Sequence, residues 1–292
     1  MLNLQSTSSI NCRGRLLTLD RVRIMGILNV TPDSFSDGGQ FTEVEAALHQ
    51  AEAMLDAGAD ILDIGGYSSR PHADHIDIEE EISRLEEIVG NIIMEFPEAI
   101  ISIDTFRSKV ASSMLDMGAH IINDIRAGRG MDNSQSDGEM FSLIAQYGNV
   151  PYIMMHMAGT PADMQQHPSY ENVVDEVWDF FVERINRAKD AGIVDLIVDP
   201  GFGFGKTILH NYQLFEGLKE LMKFQLPLLV GISRKSMMYK LFNTVPKDVG
   251  DLTGILHFKA MEMGARLFRV HDVKEAKRVG EFYHYLRDNG II

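Results

Sequence analysis

Polar and charged side chains recur directly after short apolar runs in this sequence, and they are the residues best able to do chemistry. The set comprises Asn29, Asp63, Asp104, Asn123, Asp124, His156, Asp199, Ser233, Arg234, Lys235, Arg269 and His271. Carboxylates accept hydrogen bonds, whereas Lys and Arg only donate them. Arg269 and His271 are two residues apart on an extended segment, so they would point the same way and could grip a diphosphate. Taken singly, an Asp or Asn here could simply cap a helix or form an Asx turn.

Eight apolar runs must position these side chains. They span residues 23–29, 59–66, 99–105, 119–125, 151–157, 195–201, 227–233 and 265–272. Short runs rich in β-branched residues are typical of buried parallel strands, and amphipathic helical patterns such as residues 43–58 separate them. The sequences DAGAD, DMGAH, DAGIV and EMGAR repeat one helix-to-strand joint, in which glycine supplies a left-handed helix end.

Eight strand–helix units predict an α/β fold of the (β/α)8 TIM-barrel type. We interpret residues 1–292 as a single domain, with residues 1–20 as an N-terminal extension. An open doubly wound sheet is the alternative. The barrel is favoured because an active site would gather polar residues at the C-terminal ends of the strands, whereas residues needed for stability would occur at both ends.

Composition limits the possible partners. The chain has 292 residues, with 27 basic and 42 acidic side chains and a formal net charge of -15. This balance argues against nucleic acid or an anionic membrane as partner, and an anionic substrate would need a local basic pocket. The only cysteine, Cys12, excludes an intrachain disulfide and fits a reducing cytoplasm. No secretory signal and no run of about 18 apolar residues occurs, which predicts an untargeted soluble protein.

The glycine-rich segment DPGFGFGKT, residues 199–207, invites a nucleotide-binding interpretation. The Walker pattern needs glycine five positions before Gly205, where Pro200 stands, and the glycine spacing does not fit the dinucleotide pattern. We therefore interpret the glycines as a loop that brings backbone and Phe204 close to a flat ligand.

Eight segments together resemble the dihydropteroate synthase family. They are GILNVTPDSFSDGG, GGYSSRP, SIDTFRSKVA, INDI, MHMAGTPADMQ, DPGFGFGK, GISRKS and RVHDV, in this order from about residue 10 to the last helix. The resemblance implies a transferase of folate biosynthesis that joins 6-hydroxymethyl-7,8-dihydropterin pyrophosphate to p-aminobenzoate and releases pyrophosphate. It also implies Mg²⁺ as cofactor, a cytoplasmic homodimer, competition by sulfonamides, and small molecules rather than membranes or nucleic acids as partners.

The same resemblance implies roles for individual residues. The pterin would be bound by Asp104, Asn123, Met155, Asp199, Gly231 and Lys235. Pyrophosphate would be held by Asn29, Arg70, Arg269 and His271, with the metal at Asn29. p-Aminobenzoate would contact Ser69, Arg70, Pro71, Phe204, Lys235 and Ser236. The residues implied in catalysis are Asn29, Asp104, Lys235, Arg269 and His271, and those of a flexible lid are Thr31, Pro32, Asp33, Ser34 and Phe35.

Two regions depart from the family pattern. The second loop reads Ser68-Ser69-Arg70-Pro71-His72, where the family usually has Ser-Thr-Arg-Pro-Gly, so the path of the loop is in doubt. In NDIRAGRG, Arg126 and Arg129 replace small residues, and we expect surface or loop-packing charges there.

Two alternatives share the expected fold. A methyltetrahydrofolate:corrinoid methyltransferase also binds a pterin, but it would not need the Ser69–Pro71 loop or the GISRKS segment. A non-catalytic pterin-binding homologue would keep the deep pocket and lose the loop residues, whereas Asn29, Arg70 and Lys235 are all present here.

Overall fold

A computed structural model describes residues 9–30, 43–67, 76–130, 138–160, 164, 166 and 168–292. The strands within these ranges are β1 (Ser9–Cys12), β2 (Arg15–Thr18), β3 (Arg23–Asn29), β4 (Ile61–Gly65), β5 (Ile100–Asp104), β6 (Ile121–Asp124), β7 (Tyr152–Met155), β8 (Leu196–Asp199), β9 (Leu229–Val230) and β10 (Leu267–Val270). The helices are α1 (Glu43–Asp56), α2 (Ile78–Glu95), α3 (Ser108–Met117), α4 (Gly138–Tyr147), α5 (Val173–Asp190), α6 (Ile208–Glu216), α7 (Leu218–Leu221), α8 (Ser236–Tyr239), α9 (Gly250–Glu262) and α10 (Val273–Asp288). None of these helices is long and apolar enough to cross a membrane.

Strands β3 to β10 form one parallel sheet in the order β8-β7-β6-β5-β4-β3-β10-β9. A parallel bridge between Val198 and Leu228 joins its two edges, and the Val198 N–H donates to the Pro227 carbonyl at 3.0 Å. The sheet thus closes on itself, which confirms the predicted (β/α)8 barrel and excludes the open doubly wound sheet. Each of the eight predicted strands forms, although most are shorter than the apolar runs because the run ends enter turns.

Side-chain alternation along the strands builds two cores. Residues that point outward, such as Ile64, Ile103 and Phe268, are fully buried against the surrounding helices. Residues that point inward fill the N-terminal half of the barrel with one apolar layer of Met25, Ile61, Ile100, Ile121, Ile153, Ile197, Leu229 and Leu267. Because both faces of each strand are buried, the strands read in the sequence as nearly continuous apolar runs.

An antiparallel hairpin of β1 and β2 covers the N-terminal end of the barrel, within the region that the sequence indicated only as an extension. Ile10, Cys12, Leu17 and Leu19 join the inner apolar layer. The turn has left-handed backbone at Arg13 and Gly14, with φ of 53° and 94°. The hairpin was not predicted because both strands are only four residues long and Arg-Gly is not a common turn signal.

The repeated helix-to-strand joints have the predicted backbone. Gly58, Gly118, Gly192 and Gly264 all have left-handed conformations, with φ between 93° and 114°. A residue with a Cβ atom would be strained in this region, so glycine lets each helix end and the chain turn into the next strand.

Candidate active site

The layer above the apolar core of the barrel is polar. In each strand, the residue two positions beyond the apolar layer also points inward, because side chains alternate along a strand. These second-layer residues are Ile27, Asp63, Ser102, Asn123, Met155, Asp199, Gly231 and Arg269, of which five are polar or charged. The C-terminal half of the barrel therefore presents charged and hydrogen-bonding groups where the N-terminal half presents aliphatic ones.

A pocket opens above this layer, with about 360 Å³ of space between protein atoms including its mouth. Its lining is Asp104, Asn123, Ile125, Met155, Asp199, Gly201, Phe202, Phe204, Gly231, Lys235 and Arg269. Every residue that the sequence indicated for the pterin is among them, as is Phe204. Ile125, Gly201 and Phe202 were not predicted. These three residues could have been predicted from the sequence, because they lie directly after a predicted strand or in the glycine-rich loop.

Three other predicted residues lie at the rim rather than in this lining. Asn29 ends β3 beside Gly65 of β4, and His271 follows β10, the other neighbour of β3. Ser236 begins α8 directly after Lys235. Ser69, Arg70 and Pro71, together with the lid residues Thr31, Pro32, Asp33, Ser34 and Phe35, lie outside the described residues.

Asp63 is the hub of the polar layer. It is fully buried and accepts hydrogen bonds from Ser102 Oγ at 2.6 Å and Asn123 Nδ2 at 3.1 Å. The Arg269 guanidinium donates through Nε to Asp63 at 2.6 Å and through Nη2 to Asp104 at 2.7 Å. The sequence placed Asp63 in the polar set without a ligand role. Its central position could have been predicted from its place inside the apolar run ILDIG, because a buried carboxylate needs hydrogen-bond or charge partners.

The pocket perturbs the ionisation of its charged groups. Burial raises the pKa of Asp104 to about 7, against the opposing effect of Arg269. Burial lowers the pKa of Lys235 to about 8, and the neighbouring Arg269 lowers it further, while Asp199 and Asp104 oppose the shift. Burial would lower the pKa of Arg269, but the carboxylates of Asp63 and Asp104 raise it overall, so the guanidinium stays charged.

The surroundings of His271 favour the neutral form of its imidazole ring. Its Nδ1 lies 3.2 Å from Ser233 Oγ. Burial lowers its pKa to about 4, and Arg234, Arg269 and Lys235 act in the same direction. The ring is thus neutral at pH 7 in the structure, and a bound anion would favour its protonated form.

An ion pair holds the segments after β9 and β10 together. Arg234 Nε and Nη2 donate to the two carboxylate oxygens of Asp272 at 3.0 and 2.6 Å. Arg234 has left-handed backbone, with φ of 55°, which is costly for a residue with a side chain. The bidentate pair offsets this strain and keeps Lys235 and His271 on neighbouring loops.

The glycine-rich loop after β8 packs closely against the backbone of the segment that follows β7. A Cβ atom at Gly201 would come within 1.9 Å of the His156 carbonyl oxygen, and one at Gly205 within 2.6 Å of the Ala158 carbonyl oxygen. The glycines therefore permit a close approach to the neighbouring protein backbone, whereas the predicted approach to a flat ligand stays a prediction. Phe204 faces the pocket, and its ring centroid lies 4.1 Å from Lys235 Nζ.

Arg126 is buried, so the expectation of a surface charge is wrong for this residue, whereas loop packing is correct. The side chain is only 3% exposed. It donates to the carbonyls of Arg129 at 3.2 Å, Gly159 at 3.4 Å and Gly130. These bonds tie the loop after β6 to the loop after β7. Arg129 is more exposed and lies 4.6 Å from the centre of the Phe180 ring.

Two further members of the polar set stabilise loops. Asp124 is fully buried and accepts from Tyr152 Oη at 2.5 Å and from the Arg126 and Gly128 N–H groups at 2.7 and 2.8 Å. His156 is also buried, with its Nδ1 2.9 Å from Lys206 Nζ. The structure thus divides the set into groups that face the pocket and groups that hold its walls.

A closed parallel barrel with this polar pocket defines a TIM-barrel protein with a small-molecule site at its C-terminal end. The sequence profile of the family described as pterin binding enzyme matches residues 25–271. Dihydropteroate synthase from Escherichia coli (strain K12) is 45% identical over 267 residues, covering 90% of this chain and 91% of that protein. The chain belongs to the dihydropteroate synthase family.

Solved structures give the same relationship. Yersinia pestis dihydropteroate synthase in a sulfonamide drug complex has a TM-score of 0.87 and 41% identity, covering 96% of this chain and 99% of that one. The Xanthomonas albilineans enzyme in complex with 7,8-dihydropteroate has a TM-score of 0.84 and 38% identity, covering 96% and 98% of the two chains.

Removal of Asp63 tests the hub. We expect Asp63→Ala to lower the free energy of unfolding by about 3–5 kcal/mol, because it breaks a buried ion pair and leaves Arg269 less compensated. The control is Asp20→Ala, which removes the exposed partner of Arg23 and should cost at most about 1 kcal/mol. Urea unfolding measures both changes, and an equal small effect of the two substitutions would contradict the role of Asp63.

Proposed function

We propose that this protein is a dihydropteroate synthase that condenses 6-hydroxymethyl-7,8-dihydropterin pyrophosphate with p-aminobenzoate to give 7,8-dihydropteroate and pyrophosphate. The observation that carries this proposal is one pocket at the C-terminal end of the barrel, where Asp104, Asn123, Asp199, Lys235 and Arg269 converge. The full-length relatives named dihydropteroate synthase support the same activity. They give no support to a non-catalytic homologue or to a corrinoid methyltransferase.

The deep groups fit the edge of a pterin ring. Asp199 lies at the pocket wall, where an ionised carboxylate can accept from the exocyclic amine and a ring N–H of the pterin. Asn123 already donates from Nδ2 to Asp63, which fixes the orientation of its amide. The Lys235 ammonium can donate to a pterin acceptor, and the buried Met155 thioether supplies an apolar contact for the flat ring.

Departure of pyrophosphate is the demanding step. The amine of p-aminobenzoate is unprotonated at neutral pH, so its lone pair can form the new C–N bond without a general base. The C–O bond to pyrophosphate breaks, its electron pair leaves with the oxygen, and the amine nitrogen then loses a proton. Arg269, His271 and Arg70 are the residues that we propose for the leaving group, where positive charge would stabilise the transition state.

Asp104 has a separate role in this proposal. If the C–O bond breaks ahead of attack, the pterin methylene carries positive charge, and a nearby carboxylate stabilises it. Asp104 lines the pocket beside Arg269, which keeps it oriented through a 2.7 Å hydrogen bond. The site would further accelerate the reaction by holding the amine in line with the methylene carbon.

We propose Mg²⁺ as the cofactor, held by the amide oxygen of Asn29. The described residues contain no cluster of three or more His, Cys, Asp or Glu side chains suited to a metal. Mg²⁺ is usually bound through one or two carboxylates, waters and substrate phosphates rather than by an all-protein cage, so most of its ligands here would come from the pyrophosphate and from water. Asn29 is only partly buried at the end of β3, so its amide can reach an ion on the pyrophosphate side. When bound, the ion would neutralise charge on the leaving group.

A direct assay tests the activity. Purified protein incubated with dihydropterin pyrophosphate, p-aminobenzoate and Mg²⁺ should form dihydropteroate and pyrophosphate in equal amounts. Omission of either substrate should abolish product, and chelation of the metal should slow turnover. Absence of product with all components present would overturn the proposed function, whereas unchanged turnover after chelation would overturn only the metal.

The pKa of Lys235 predicts a pH dependence. Because this pKa is lowered to about 8, the side chain is charged below that pH and loses its proton as the pH rises through it. We expect kcat/KM for dihydropterin pyrophosphate to fall by about tenfold above pH 8, since a hydrogen bond from a charged donor is lost.

The matched control is Lys235→Gln, which has no charge to lose. This variant should be weak at every pH and should show no step near pH 8. If the variant retains the same decline as the unsubstituted protein, another group is responsible.

We also propose a cytoplasmic homodimer. α9 and α10 carry exposed apolar side chains, with Ile255 64% and Phe282 57% exposed, and the Phe258 and Phe282 rings lie 5.9 Å apart. Such a surface suits a two-fold contact with a second copy.

Light scattering should give the mass of two chains for the unsubstituted protein, and Phe282→Asp should give the mass of one chain. A monomeric unsubstituted protein would contradict the dimer. The cytoplasmic location is supported by the single cysteine, Cys12, which leaves no second thiol for an intrachain disulfide.

A further inference from the structure

Lys206 is the next-to-last residue of the glycine-rich segment and is buried, yet the proposed reaction does not use it. Its side chain lies between the loop after β8 and the segment after β7, and the residue is only 4% exposed. Nζ lies 2.9 Å from His156 Nδ1 and donates to the carbonyls of Gly201 at 2.9 Å, Phe204 at 3.0 Å and His156 at 3.3 Å. Three N–H donors are thus shared among four acceptors, three of which are main-chain oxygens.

The bonding pattern is that of a cross-link between two loops. Gly201 and Phe204 belong to the loop after β8, whereas His156 lies on the chain that leaves β7. Burial holds the pKa of His156 well below its ordinary value, with Lys206 acting in the same direction, so the ring is neutral and Nδ1 can accept from Lys206 Nζ. Burial also lowers the pKa of Lys206 to about 7, and Asp199 opposes this shift. The charged form of Nζ has three N–H donors and the neutral form has two, so both forms can donate to the surrounding acceptors. A buried lysine is rare unless its donors are satisfied, and here the surrounding oxygens satisfy them.

The two ends of the loop are held by different groups. The Gly201 N–H also donates to Asp199 Oδ1 at 2.8 Å, so the end nearest β8 has an anchor independent of Lys206. Toward the other end, the Gly203 N–H donates to Asn211 Oδ1 at 2.7 Å, whereas the Phe204 carbonyl accepts from Lys206. The Phe204 N–H also donates to the Gly201 carbonyl at 3.1 Å, and Tyr170 Oη donates to the adjacent Gly205 carbonyl at 2.8 Å. Lys206 therefore acts together with Tyr170 at this end of the loop and supplies the side-chain bond to the Phe204 carbonyl itself.

We propose that Lys206 is a positioning residue that holds the Phe204 end of the loop against the exit of β7 and thereby shapes the p-aminobenzoate side of the site. This inference rests on the proposed function, in which Phe204 and Lys235 contact p-aminobenzoate. The Phe204 ring and Lys235 Nζ are 4.1 Å apart, so a shift of the loop changes both the apolar wall and the surroundings of the ammonium.

The expected effect of Lys206→Met is uneven between the two substrates. Methionine has a similar length but no donors, so three carbonyls and His156 lose their shared partner. We expect KM for p-aminobenzoate to rise by about tenfold because the aromatic wall is misplaced, while KM for the pterin substrate changes by less than about twofold. A merely structural role would instead change both KM values together or only the melting temperature.

The control is Lys223→Met, which replaces an exposed lysine of the same segment between β8 and β9 that pairs with Glu220. It should leave both KM values unchanged. A second variant, Lys206→Gln, retains part of the donor capacity and should fall between Lys206→Met and the unsubstituted protein. Equal changes in both KM values, no change in either, or global unfolding of both Lys206 variants would overturn the positioning role.

Hydrogen exchange provides a readout that does not require activity. In Lys206→Met, amides of residues 202–206 should exchange faster, while those of β6 and β10 keep their rates. Unchanged exchange in the loop would overturn the positioning role even if the enzyme is active. If the unsubstituted protein makes no dihydropteroate, the proposed function fails, but the exchange measurement still decides whether Lys206 holds the loop.

Discussion

The buried ion pairs of Arg269 with Asp63 and Asp104 are the constraint on which the active-site half of the barrel depends. Three charged groups meet on the inward faces of β10, β4 and β5, where water is largely excluded. Removing any one of these three groups would leave a buried charge without its partner of opposite charge. Asp63 also accepts hydrogen bonds from Ser102 and Asn123, so the same network connects β10, β4, β5 and β6 and spans β3, which lies between β10 and β4.

This network also explains how one pocket can hold groups of opposite charge. Arg269 lowers the pKa of Lys235, whereas the carboxylates keep Arg269 charged. The Arg269 guanidinium thus lies on the β10 side of the pocket, and the Asp199 carboxylate, a hydrogen-bond acceptor, lies at the end of β8. A substrate with a heterocycle at one end and a diphosphate at the other matches that division, which is the electrostatic reason for the order of the proposed subsites.

Close packing and buried side chains hold together the loops after β6, β7 and β8, which surround the pocket. The loop after β8 follows the backbone that leaves β7 so closely that Gly201 and Gly205 admit no side chain, and the Lys206 ammonium links the two segments. Arg126 makes a similar link between the loops after β6 and β7. The loops beside the pocket are thus held by the buried side chains of Arg126 and Lys206, which bond to carbonyl oxygens and limit the movement of the loops.

The sequence by itself determined the barrel, its eight strands and most of the pocket lining, because short apolar runs, the amphipathic helices between them and the polar residues after each run are local patterns. Asp104, Asn123, Asp199 and Lys235 could be assigned in this way and through the family resemblance. Only the tertiary structure decided that Asp63 is a hub, that His271 is neutral, that Arg126 and Lys206 are buried links, and that β1 and β2 close the barrel. These properties depend on which distant groups meet and how far water is excluded, and neither can be derived from the local order of residues.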